Sequence, residues 1–97
     1  MRRFAWSDEK NRQLLGERGI SFEVVLAQLE RGDLLAVLEH SDPARFGRQK
    51  IFVVRIYDYA YLVPYVEEGD EIFLKTILPS RKATRDHLRP GDRGEKV

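Results

Sequence analysis

The order of residues in this 97-residue chain predicts an α+β fold in one domain, with two N-terminal helices packed on one face of a curved four-stranded antiparallel sheet. Three observations predict it. Two early segments have a helical apolar period, each opened by a serine. Four later segments are rich in β-branched and aromatic residues and are divided by turn signals. A proline then ends the last of these, and a short basic helix follows.

In chain order, Phe4-Ala5-Trp6 is a short extended apolar segment, suited to an edge strand or a packing plug. Ser7 is a helix N-cap, with Asp8 and Glu9 in the first turn and Lys10 where a capping-box glutamate would sit. This helix runs to about Glu17, with Leu14 and Leu15 inward and Lys10 and Arg18 outward. Gly19 supplies its left-handed stop. Ser21 caps a second helix in which Phe22, Val25, Leu26 and Leu29 form one stripe, and Gly32-Asp33 ends it.

The strands are expected at Leu34 to Glu39, Ile51 to Tyr57, Tyr61 to Val66 and Ile72 to Leu78. A polar loop from His40 to Arg48, broken by Pro43 and Gly47, divides the first two. Asp58 marks one tight turn and Glu68-Gly69-Asp70 another. Pro64 has no N–H for a ladder, so a bulge or an edge position is expected there. Ser80 caps the closing helix. Residues 1–89 make the domain, and 90–97, rich in glycine and charge, make a flexible tail. One sheet face is expected to stay open for a site.

The composition, 42% hydrophobic and 34% charged, is that of a globular chain rather than a disordered one. The absence of cysteine excludes a disulfide framework and a thiolate metal site. His40 and His87 are the only imidazoles and have no metal-binding spacing, so no metal site and no cofactor are expected. No signal-like or membrane-spanning run is visible, so a cytoplasmic location and no membrane partner are expected. A net charge of +1 gives no global attraction to nucleic acid, and RNA contact must come from a local patch. The sequence offers one: Glu67, Glu68, Asp70 and Glu71 precede Lys75, Arg81, Lys82, Arg85 and Arg89.

Within that patch, strand alternation puts Phe73, Lys75 and Ile77 on one face and Ile72, Leu74, Thr76 and Leu78 on the other. Lys75 is then a cation among apolar neighbours, which either reaches the rim, pairs with a carboxylate or meets an anion. Arg55 poses the same alternatives one hairpin earlier; together the two would bind a phosphate if both faced the open side. Arg81 and Arg85 are four apart on the closing helix, and two guanidiniums there can fork onto phosphate oxygens, with Lys82 beside them. A solvated basic face is the plainer alternative. Tyr57, Tyr59, Tyr61 and Tyr65 crowd one hairpin; Tyr57 and Tyr61 are expected to pack, and Tyr65 is retained as a site candidate. His40, at a strand end, is the histidine better placed for proton transfer.

Two segments together resemble the BrnT family, the toxins of bacterial type II toxin–antitoxin modules. Phe4 to Val25, FAWSDEKNRQLLGERGISFEVV, is similar to that family's opening, in which a tryptophan precedes a Lys-Asn-containing helix, a Gly-Ile/Val end and a Phe-Glu start. Ile77 to Leu88, ILPSRKATRDHL, is similar to its closing Ser-Ala-Arg-x-Ala stretch. The resemblance implies a RelE-like fold and an endoribonuclease that cleaves RNA without a metal, inhibiting translation and growth. It also implies a small antitoxin that covers the active face and carries a DNA-binding domain, so that DNA is met only through the antitoxin. Arg81 matches the closing motif and is the first choice for phosphate binding. Lys75, Arg55, Tyr65 and His40 join it as catalytic candidates, with Lys82 and Arg85 as RNA-binding ones. The chain departs from the family in having Arg18 where a histidine is common, and tyrosines where its strands carry arginine. A non-catalytic RelE-like binding module and a plain dimerising domain remain as alternatives.

Overall fold

Hydroxyl caps start the helices where the sequence places them. In the computed structural model, which describes residues 3–39, 44 and 49–88, the Ser7 hydroxyl accepts a hydrogen bond from Lys10 N (3.2 Å) and opens α1, Asp8–Arg18. Gly19 closes it at φ 71°, the left-handed conformation that costs a residue without Cβ least. The Ser21 hydroxyl accepts from Val24 N and opens α2, Phe22–Glu30. Leu14 is 1% exposed but Leu15 is 55% exposed, against expectation, because one residue turns a helix by about 100° and carries Leu15 off the buried side. The two helices are stapled by Asn11, whose Oδ1 accepts from Phe22 N (2.7 Å) while its Nδ2 donates to Glu23 Oε1 (2.8 Å). Trp6 stacks on Phe22 beside this staple, ring centroids 5.5 Å apart.

The sheet is mixed and six-stranded, not four-stranded and antiparallel. Its strands are β1 (Arg3–Ala5), β2 (Leu34–Glu39), β3 (Gln49–Ile56), β4 (Tyr59–Glu68), β5 (Glu71–Leu74) and β6 (Leu78–Pro79), in the order β1-β5-β4-β3-β2, with β6 also paired to β4. The expected antiparallel meander is present as β2 to β5. The addition is β1, which joins the outer side of β5 in parallel, Phe4 opposite Ile72. A third helix, α3, spans Arg81–Leu88. His40, the rest of the expected polar loop apart from residue 44, and the expected flexible tail at 90–97 lie outside the described residues.

The expected last strand is broken in two opposite Pro64. Tyr65 pairs with Leu74 and Leu62 with Leu78, so three residues, 75–77, face two in β4. This is a one-residue bulge. Pro64 accepts from Lys75 N through its carbonyl (2.8 Å), so its imide nitrogen also faces the β5–β6 side and has no hydrogen to return. The bulge overturns the expected alternation. Ile77 is fully buried with Ile72 and Leu74, whereas Lys75 and Leu78 are exposed.

Neither sheet face is left open throughout. Phe52, Val54, Ile56, Val63 and Tyr65 pack with Leu14, Phe22 and Val25 of α1 and α2. On the other face, Val53, Ala60 and Leu62 pack with Ala83 and Leu88 of α3, so the face expected to stay uncovered carries a helix.

The Asn11 amide, and secondarily the Glu23 backbone N–H, hold the Glu23 carboxyl below the usual carboxylate range. The folded state then binds fewer protons than the unfolded one in that range. Its stabilising contribution is present above the ordinary glutamate pKa and is lost as pH falls through the lowered one. Asn11→Ala is therefore expected to lower stability by about 1 kcal/mol at neutral pH. It should also flatten the acid limb of a denaturant-midpoint-against-pH curve.

Candidate functional site

The closing helix is seated by a hydroxyl relay. At the end of β6, Ser80 N donates to Ala60 O (3.0 Å), and the Ser80 hydroxyl caps α3 by accepting from Ala83 N (3.0 Å). The Thr84 hydroxyl donates to Ser80 O (2.8 Å) and accepts from Ala60 N (2.8 Å). Both polar groups of the Ala60 backbone are thus satisfied after the strand has ended. Ala60 is fully buried and Thr84 is 2% exposed, so this seat is dry. Sequence reasoning missed Thr84; its spacing of four from the capping Ser80 was the available signal.

With Ala83 and Thr84 held down, Arg81, Lys82 and Arg85 point to solvent. Lys82 pairs with Asp86 (3.4 Å), and Arg85 Nε lies 3.7 Å from the same carboxylate. Arg81 has no ion pair or hydrogen bond among the described residues and stands at the first position of the helix. A cation there opposes the helix dipole and receives no compensation from a local carboxylate, which leaves its charge available.

Beside α3 runs a groove of about 270 Å³ lined by Leu38, Leu62, Ser80, Lys82, Ala83, Asp86 and His87. Arg81 and Arg85, on a different side of the helix, do not line it. His87, passed over in favour of His40, is thus the imidazole that the described residues place in a concavity; its i,i+4 relation to the inward Ala83 was the signal.

The other candidates are dispersed. Arg55 is the register partner of Ala60, but its guanidinium turns onto Asp33 and Asp58, 3.4 Å from each. Lys75 sits at the bulge opposite Pro64, four steps or about 13 Å along β4 from Ala60. Its ammonium lies over the Phe73 ring, 5.6 Å from the centroid. Arg55 and Lys75 are thus not brought together at one site, and of the alternatives for Arg55 the structure has the carboxylate pair. Tyr65 is 4% exposed, its ring stacked on Phe52 at 4.0 Å in the α1–α2 core. Tyr61 packs against the same core, as expected, whereas Tyr57, expected to pack, is 75% exposed.

Among the described residues no group of three or more His, Asp or Glu side chains is placed to hold a metal ion, and no helix is long and apolar enough to cross a membrane. Compared with known proteins, the chain matches no family model, no curated protein and no solved structure.

Replacing Thr84 by valine keeps its shape but leaves Ala60 N buried without an acceptor. The expected loss is about 2 kcal/mol in urea unfolding. Arg81→Ala, at an exposed unpaired position, is expected to stay within about 0.5 kcal/mol of the parent.

Proposed function

We propose that this chain is the toxin of a type II toxin–antitoxin pair, a cytoplasmic, BrnT-related endoribonuclease with a RelE-like fold that cleaves RNA without a metal. One observation carries the reading: Arg81, the residue that matches the family's closing motif, projects with Arg85 from a helix whose orientation is fixed by the buried Thr84 relay. In such cleavage the ribose 2′-oxygen attacks the adjacent phosphorus as the 5′-oxygen leaves, and negative charge builds on the phosphate oxygens. Guanidiniums held by a rigid element stabilise that charge without reorganising. Arg81, free of any partner among the described residues, is the principal contact, and Arg85 one turn on assists it. Lys82, tied to Asp86, is a weaker RNA contact. A small antitoxin covering this face would silence it and carry the DNA-binding part.

A second reading, a non-catalytic binding module, is favoured by the edge strand β2, where Leu34, Val37 and Leu38 are 39%, 50% and 41% exposed next to the α3 groove. Apolar side chains on a sheet edge suit a protein partner.

Induced expression in bacteria separates the two. The expected outcome is growth arrest with loss of RNA, and a cleavage rate lowered about 100-fold in Arg81→Ala/Arg85→Ala at unchanged melting temperature. Harmless expression of folded parent protein, with RNA intact, would overturn the toxin reading and leave the binding module.

A further inference from the structure

We infer that the cleft at the β3–β4 turn is a nucleobase subsite, where Tyr57 stacks on an unpaired RNA base and Asp58 selects guanine. This rests on the RNA reading above. Tyr57 and Asp58 form the two-residue hairpin with φ of 54° and 63°, both left-handed. Asn-Gly or Asp-Gly meets that requirement with little strain, whereas a tyrosine pressed into it is strained by its own Cβ. Packing does not compensate. Tyr57 is 75% exposed, more than any other large hydrophobic residue among the described ones, while its neighbours Tyr59 and Tyr61 meet each other edge-on at 5.8 Å. A strained backbone that displays an unpacked aromatic ring is the pattern of a residue held for contact.

Beside the ring lies a cleft of about 250 Å³, lined by Gln28, Arg31, Asp33, Arg55, Tyr57 and Asp58. It has room for one base and is smaller than sites that enclose larger ligands. Arg31, which caps the end of α2, is exposed and has no ion pair among the described residues, so its planar guanidinium is free to stack on the second face of a base. The lining sets Arg31 and Arg55 against Asp33 and Asp58, so it carries no net charge to draw a phosphate, and a neutral base is the part of RNA that suits it. The Asp58 side chain is 90% exposed and is tied to Arg55 through one oxygen. A carboxylate accepts two parallel N–H bonds only from guanine, whose N1 and N2 donors are adjacent; on adenine, cytosine and uracil an acceptor stands beside the donor.

The test is binding of the full chain to fluorescent, 2′-O-methylated oligouridylate with one central guanine, against the all-uridine strand. Methylation blocks cleavage, so anisotropy reads affinity alone. Tyr57→Asn relieves the left-handed strain and removes the ring. It is expected to melt no lower than the parent and to bind about tenfold more weakly. Tyr57→Phe keeps the affinity, and Asp58→Asn loses the guanine preference while keeping the all-uridine affinity. Parent-like affinity in Tyr57→Asn overturns this subsite and leaves the RNA reading standing. No binding of the parent to either strand overturns both.

Discussion

Pro64 lies in β4 with strands on both sides, and its missing N–H governs how the chain leaves the sheet. It offers the last strand a carbonyl and nothing else, so the ladder lapses there and resumes with one residue inserted. The insertion reverses which face each later residue meets. Ile77 drops into the α1–α2 core and Leu78 moves to the opposite face, from which Ser80 launches α3 over Val53, Ala60 and Leu62. A regular strand would have directed Ile77 and Leu78 the other way. The position of the basic helix thus follows from one absent hydrogen-bond donor in β4, the strand against which β6 pairs.

Both segments that carry the family resemblance are held by physical needs of the fold. In the first, Trp6, Asn11, Phe22 and Glu23 stack and hydrogen-bond to one another and lock α1 against the start of α2. In the second, Ser80 and Thr84 complete the hydrogen bonding of Ala60 and seat α3. Arg81, at the start of α3, takes part in neither arrangement and has no ion pair or hydrogen bond among the described residues.

Three of the other candidate cations are oriented by carboxylates. Arg55 is drawn to Asp33 and Asp58 and becomes part of the hairpin's framework, with Gln28 bridging Asp33 and Arg55 O. Lys82 and Arg85 share Asp86. These pairs are half-exposed and each contributes little to stability, but they decide the direction in which each side chain points. With net charge near zero, such local pairing decides where charge is left uncompensated, and at the start of α3 Arg81 has no carboxylate partner among the described residues.

By itself, the sequence determined the elements: where serines cap, where Gly19 stops α1, where β-branched runs extend, and that the class is α+β, because these are local preferences of backbone and side chain. Composition also determined that any nucleic-acid contact must be local. Only the tertiary structure decided what depends on residues distant in the chain. The parallel pairing of β1 with β5 joins segments about seventy residues apart, and no local pattern encodes it. The bulge opposite Pro64 was foreseen as one of two outcomes, yet its effect on Lys75, Ile77 and Leu78 depended on which side the proline's carbonyl faced. Alternation could not tell Arg55 and Tyr65 as framework from Arg81 as free, because partners, not types, separate them: Asp33 and Asp58 for one, Phe52 for another, and none among the described residues for the last.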